Sequence, residues 1–141
     1  MRYINRLFRI LSRLAALSVH NSKHAAILFS GKSIFSTGYN RFDRGKLQSC
    51  TQSYSTHAEI DALYKSRKIS KRKRIYLIVV RLNKNGNFIN SKPCNSCIHA
   101  LKRSNITRIY YTNDKSQIVY EPTNLINNEH ECSGNRFMKR S

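Results

Sequence analysis

Residues Ile75–Leu82 read Ile-Tyr-Leu-Ile-Val-Val-Arg-Leu, apolar almost without a break. A strand with one face in water alternates polar and apolar residues, whereas a run like this fits a central strand covered on both faces. That requirement sets the architecture. Ile4, Leu7, Phe8, Leu11, Leu14 and Ala15 recur at helical spacing, with Arg2, Arg6, Arg9 and Arg13 off their face, and predict a first helix over 3–18. Ala25–Phe29 and Ser33–Tyr39 read as two strands joined by the Ser30-Gly31-Lys32 turn. A second helix is expected from near Thr56 to about Lys68, capped by Ser55 or Thr56. Pro93 opens a third, which runs to about Ser104, and Arg108–Thr112 and Gln117–Glu121 read as two further strands. Helices alternating with strands predict an α/β fold in which a sheet is sandwiched by helices, three layers in the order α/β/α. Only Asn113–Ser116 separates the last two strands. A parallel pair needs a crossover of roughly a dozen residues or more, so these two should pair antiparallel as a hairpin.

A chain of 141 residues suits one domain with one core, expected here over 1–126, followed by a polar basic tail over 127–141. Arg41–Ser53 is polar and reads as a loop, and the basic run Lys65–Arg74 as a solvated helix end and turn. No stretch approaches the roughly 18 to 20 apolar residues of a membrane span. Lys and Arg number 26 against 7 Asp and Glu, a formal net charge of +19. That balance attracts polyanions, so nucleic acid is a candidate partner, but charge alone carries no specificity. The cysteines are Cys50, Cys94, Cys97 and Cys132. Two form a Cys-x-x-Cys pair and no secretory signal precedes them, which suits a reducing compartment and a metal site better than a disulfide framework. The expected setting is therefore intracellular, in the cytoplasm. The Arg-rich N-terminus also has the pattern of a mitochondrial presequence, yet it leads directly into the first strand and its removal would take core with it. Mitochondrial and virion settings stay open.

Two segments carry the chemistry: His57-Ala58-Glu59 and Pro93-Cys94-Asn95-Ser96-Cys97, each at an expected helix start. Cys94 and Cys97 are three apart and so share one helical face. In the first turn of a helix the dipole and the N–H groups favour thiolates. His57 adds a third donor of suitable softness. Three protein ligands leave one tetrahedral position for water, the catalytic pattern for zinc, and Glu59 stands ready to move that water's proton. A closed structural site, with Cys50, Cys132, His99 or His130 as fourth ligand, is the alternative. Haem attachment needs His directly after the second Cys, and Ile98 stands there.

His-x-Glu followed by Pro-Cys-x-x-Cys resembles the sequence mark of zinc-dependent nucleobase deaminases. Over roughly residues 5–126 the chain resembles the cytidine deaminase superfamily: Ala25-Ala26-Ile27-Leu28-Phe29 with Gly38-Tyr39-Asn40 looks like its first hairpin, and Thr56-His57-Ala58-Glu59 and Ser91-Lys92-Pro93-Cys94-Asn95-Ser96-Cys97 like its metal segments. The resemblance implies a five-stranded mixed sheet flanked by helices, with zinc on His57, Cys94 and Cys97 and Glu59 as proton shuttle. It also implies a sugar contact at Asn40, a base contact from the Ala58 backbone, and assembly as a dimer or tetramer. For Asn40 a plain strand-end role is the alternative. The antiparallel final pair and Ile118–Leu125 are similar to enzymes acting on free cytidine, whereas His rather than Cys at position 57 is usual in deoxycytidylate and nucleic-acid deaminases. Three functions follow. The first is hydrolytic deamination of a cytosine nucleoside or nucleotide to the uracil form with release of ammonia. The second is deamination within single-stranded nucleic acid, motivated by the charge. The third is a catalytically silent, basic nucleic-acid-binding or structural protein with a deaminase fold, against which an intact Glu59 argues.

Overall fold

The computed structural model describes residues 2–18, 22–40, 57–66 and 74–127. The elements are α1 (Arg2–Ala15), β1 (Lys23–Ser30), β2 (Ser33–Tyr39), α2 (Ala58–Lys65), β3 (Ile75–Leu82), β4 (Phe88–Ile89), α3 (Asn95–Arg103), β5 (Ile106–Thr112) and β6 (Ile118–Pro122). The Arg41–Ser53 loop, most of the Lys65–Arg74 run and the tail from residue 128 lie outside the described residues.

The strand order is β2-β1-β3-β5-β6, with β4 paired to β3 off that path. As the apolar run requires, β3 is central, antiparallel to β1 and parallel to β5. Its even residues, Ile78, Val80 and Leu82, pack with Ile4, Leu7, Leu11 and Ala15 of α1. Its odd residues, Ile75, Leu77 and Val79, pack with Ala58 and Ala62 of α2 and Ile98 and Leu101 of α3. One helix therefore covers one face and two cover the other, the three layers expected. The last two strands form the antiparallel hairpin that their four-residue link demands, with Tyr110 opposite Tyr120.

The structure departs from the sequence reading in details that matter for the site. The five expected strands are present, but a sixth, β4, lies within the segment read as connection. Its Ile89 and Phe88 pair with Arg81 and Leu82. It takes the place beside β3 that β5 leaves, since β5 pairs only with Ile75–Ile78. A two-residue strand has no periodicity to read. The helix boundaries also move inward: α2 is capped at His57 rather than at Ser55 or Thr56, and α3 begins after Cys94 rather than at Pro93.

Helix α2 lies on β2 with almost no space between the backbones. A Cβ placed on Gly38 would stand 2.5 Å from the Ala58 carbonyl oxygen and 2.6 Å from the Ala62 nitrogen. Ala58 and Ala62 are one turn apart and fully buried, so three small residues in register make the approach. Ser36 adds a hydrogen bond to the Ala62 carbonyl at 2.6 Å. Gly38→Ala is expected to cost about 1–3 kcal/mol in a denaturant titration, because the clash is with backbone that cannot swing aside. Gly31→Ala, at the β1–β2 turn with φ +57 and open space around it, is expected to cost about 1 kcal/mol through backbone strain alone. Equal losses of stability in the two variants, or none at Gly38, would refute the packing account.

Candidate metal centre

The two motif segments meet where the N-termini of α2 and α3 converge. His57 is the N-cap of α2 and Cys94 the N-cap of α3, both in extended backbone conformation, and neither side chain makes a capping hydrogen bond. N-caps are ordinarily Ser, Thr, Asp or Asn, and replacing one with a residue that cannot cap costs about 1 kcal/mol. Here that stabilisation is given up so that donors other than capping oxygens sit at the helix ends. Cys97 is the third residue of α3, so Cys94 and Cys97 hold the N-cap and N3 positions, whose side chains face each other across the first turn. The sequence reading put both cysteines inside that turn; the structure puts Cys94 just before it.

The His57, Cys94 and Cys97 ligand atoms lie within 4.8 Å of one another, and His57 Nδ1 is 3.4 Å from Cys97 Sγ. Tetrahedral zinc with arms of about 2.3 Å to sulfur and about 2.0–2.1 Å to nitrogen separates its ligand atoms by about 3.5–3.8 Å. The spacing and the soft S₂N donor set both fit that ion. Both cysteines are buried and pack with Ile60. Among the described residues no other His, Cys, Asp or Glu joins the cluster. His99 is on α3 but exposed, so it does not supply the fourth ligand. Cys50, Cys132 and His130 lie outside the described residues.

Glu59, the second residue of α2, is 3% exposed, and its Oε1 is a buried atom with no hydrogen-bond partner. Burial pushes its carboxyl above the usual range, against the opposing pull of His57. Burial lowers His57 as well, but the bond to Cys94 and the charge of Glu59 outweigh it and leave the imidazole above its ordinary value. A buried carboxylate oxygen without a donor is costly. It asks for a partner carrying a proton, such as a water or a ring N–H brought by a ligand.

Asn40 directly follows β2. Its Nδ2 donates to the Ser22 carbonyl at 2.8 Å, and its Oδ1 accepts from the His24 N–H at 2.8 Å. These bonds tie the end of β2 to the start of β1, the strand-end role weighed above. Each amide end keeps one further hydrogen-bonding valence. Ala58 is fully buried as the first residue of α2.

Several residues that shape the site gave no sequence signal. Asp61, 1% exposed, accepts from the Tyr39 N–H at 3.3 Å and pairs with Lys65 at 3.0 Å, which ties α2 to the end of β2. Only its i,i+4 spacing to Lys65 was legible. Ser91 anchors the approach to Cys94. Its Oγ donates to the Val79 carbonyl at 2.8 Å and accepts from the Thr112 N–H at 2.8 Å, while its own N–H bonds the Thr112 carbonyl at 2.9 Å. Next to it, the Lys92 ammonium lies 3.5 Å from Glu121 Oε2 and 6.0 Å from the centre of the Tyr111 ring. Tyr111 also donates to Glu121; burial, with that bond, pushes its phenol well up, so it remains a donor.

A sequence model of the family described as "Cytidine and deoxycytidylate deaminase zinc-binding region" matches residues 1–113. The chain belongs to that family. Among solved structures, the cytidine deaminase from Burkholderia pseudomallei superposes with a TM-score of 0.62, covering 84% of this chain and 91% of that one at 16% identity. The dCMP deaminase of cyanophage S-TIM5 gives 0.53 in its apo form, at 22% identity over 77% of this chain and 78% of that one. Its complex with dCMP and dUMP gives 0.54, at 20% identity over 78% and 81%. At these identities the likeness shows the deaminase fold. No curated protein matches the chain.

The deaminase fold thus brings the donor triplet together from two helix ends. Zinc analysis of the purified protein is expected to find one ion per chain. Cys97→Ser is expected to weaken binding by more than about a hundredfold. Ser91→Ala, which leaves every donor in place, is expected to lose no more than about tenfold, the lower end of what outer-shell partners contribute. A Cys97→Ser protein that keeps its zinc at parental affinity would sink this assignment.

Proposed function

We propose that the protein is a zinc-dependent hydrolase that converts the cytosine of a nucleoside or nucleotide to uracil and releases ammonia. One observation carries the reading: a His/Cys/Cys triplet, its cysteines buried and its histidine half-buried, beside a buried carboxylate whose Oε1 has no partner among the described residues. A purely structural zinc site has no use for that carboxylate. When bound, zinc supplies the Lewis acidity that makes a water ionisable near neutral pH.

The chain's own residues do the rest. His57, Cys94 and Cys97 hold the ion, and the helix ends under Cys94 and Cys97 favour their thiolate forms. Glu59 accepts the proton of the attacking water and passes it to the ring nitrogen next to C4. The same carboxylate then takes the remaining proton from the oxygen added at C4 and delivers it to the amine; the C4–amine bond breaks as the C4 carbonyl forms, so water and a cytosine yield a uracil and ammonia. Burial of Glu59 favours its protonated form and therefore this two-way traffic. The Ala58 backbone meets the base edge, and the remaining amide valences of Asn40 meet the sugar. Dimeric or tetrameric assembly and a cytoplasmic setting complete the proposal. Among the described residues no helix is long and apolar enough to cross a membrane.

The formal charge of +19 favours a second reading, in which the cytosine lies in single-stranded nucleic acid. Ammonia release from cytidine, deoxycytidine, their monophosphates and a cytosine-bearing oligonucleotide separates the two. A monomeric substrate is expected to turn over, and Glu59→Gln is expected to slow it by at least about 10²–10⁴-fold. Turnover of the oligonucleotide alone would move the protein to the second reading. A zinc-loaded protein inert on all five would reject both.

A further inference from the structure

Arg81 is the one charged residue of β3, a strand otherwise apolar and central. It shares the sheet face of Leu77 and Val79, which is the face that carries α2 and α3. It stands at the end of β3 where β1 begins, directly opposite His24. Its side chain is half-buried, and such a charge ordinarily has an anionic partner. Arg81 has none among the described residues, where each of the four carboxylates is placed elsewhere. Asp61 pairs with Lys65, Glu121 with Lys92, Asp114 accepts from Asn90, and Glu59 lies beside the metal ligands.

The guanidinium is nevertheless held in place. Its Nε donates to Ser22 Oγ at 2.6 Å, and that oxygen also lies 3.3 Å from His24 Nε2. Orientation through Nε leaves the two Nη groups as a fork, the geometry that grips a phosphate through paired hydrogen bonds. The Ser22 that fixes Arg81 is the residue whose carbonyl accepts from Asn40. Arg81 and the proposed sugar contact are therefore separated by a single residue, at the same end of the sheet.

We infer that Arg81, oriented by Ser22 with His24 beside it, binds the 5′-phosphate of the substrate, so that the site prefers a cytosine nucleotide to the free nucleoside. The inference rests on the deaminase reading for the position of the base and sugar, and it narrows that reading to the monophosphate. Ser22 and His24 aim the fork, and Arg81 makes the contact.

The test measures the affinity of deoxycytidine and of its 5′-monophosphate in zinc-loaded protein carrying Glu59→Gln, which turns neither over. Ammonia release by the parent tests the deaminase reading separately, so failure of one is distinguishable from failure of the other. The nucleotide is expected to bind about tenfold or more tightly than the nucleoside, the worth of a charge-assisted contact. Adding Arg81→Ala is expected to bring the ratio to within about twofold of unity. Arg81→Lys, which keeps the charge and stem but loses the fork, is expected to leave an intermediate ratio. Lys32→Ala removes a charge from the exposed β1–β2 turn and is expected to leave the ratio as it was, which separates a local contact from the general field of a basic protein. The inference is overturned if nucleoside and nucleotide bind equally before substitution, if Arg81→Ala or Arg81→Lys preserves the full preference, or if Lys32→Ala erodes it as much as Arg81→Ala does.

Discussion

The backbone-to-backbone contact of α2 with β2 at Gly38 is the constraint from which the site geometry follows. With Gly38, Ala58 and Ala62 in register, the helix axis is pressed against the sheet. His57 at the cap and Glu59 two residues after it are then held at a set depth. The tie between Tyr39 and Asp61 holds the other side of the same turn. A bulkier side chain at any of the three positions would lift α2, and both groups would withdraw from the cysteines. The cysteines arrive from a different part of the chain, on a helix whose approach is held by Ser91 between β3 and the end of β5. The centre is thus a meeting of two separately anchored helix ends, and its precision comes from close backbone contact on one side and a dense hydrogen-bond knot on the other.

That meeting concentrates groups that repel water's absence. Two thiols, an imidazole and a carboxyl lie together, and burial works against the charged forms of His57 and Glu59. Burial raises the Glu59 carboxyl while His57 beside it pulls the other way. A divalent cation held by His57, Cys94 and Cys97 would favour the thiolates and the neutral imidazole, and would leave the Glu59 carboxyl as the group to carry protons. The uncapped helix ends act in the same direction, because their N–H dipoles are aimed at negative charge.

The layers, the central strand and the final hairpin were legible because each follows from a local pattern: a doubly buried run in β3, a helical stripe in α1, a four-residue link that no crossover can use. The motif residues were legible by spacing, and the structure brings His57, Cys94 and Cys97 within reach of one another. What was not legible is what joins distant segments. The bonds of Ser91 to Thr112 and of Arg81 to Ser22 span 21 and 59 residues of chain, and a serine or an arginine carries no mark of such a partner. The helix starts were misplaced for a related reason. Ser55, Thr56 and Pro93 are the residues that local preference selects as caps and first positions, but tertiary demand for donors moved both caps to His57 and Cys94.

This division bears on where substrate choice resides. The groups proposed to perform the chemistry occupy two short stretches, 57–59 and 94–97, mostly buried and closely surrounded. The polar residues around them are less confined. Asn40, Ser22, His24 and Arg81 form a linked array along one rim, and Lys92, Glu121 and Tyr111 another next to the Cys94 segment. The first rim exists because β1 runs antiparallel to β3, which brings the start of one strand to the end of the other. The second exists because β6 turns back on β5, so that Glu121 faces Lys92. A parallel final strand would have entered from the opposite end and placed other residues there. Strand direction at this end of the sheet thus decides which charged residues stand beside the Cys94 segment.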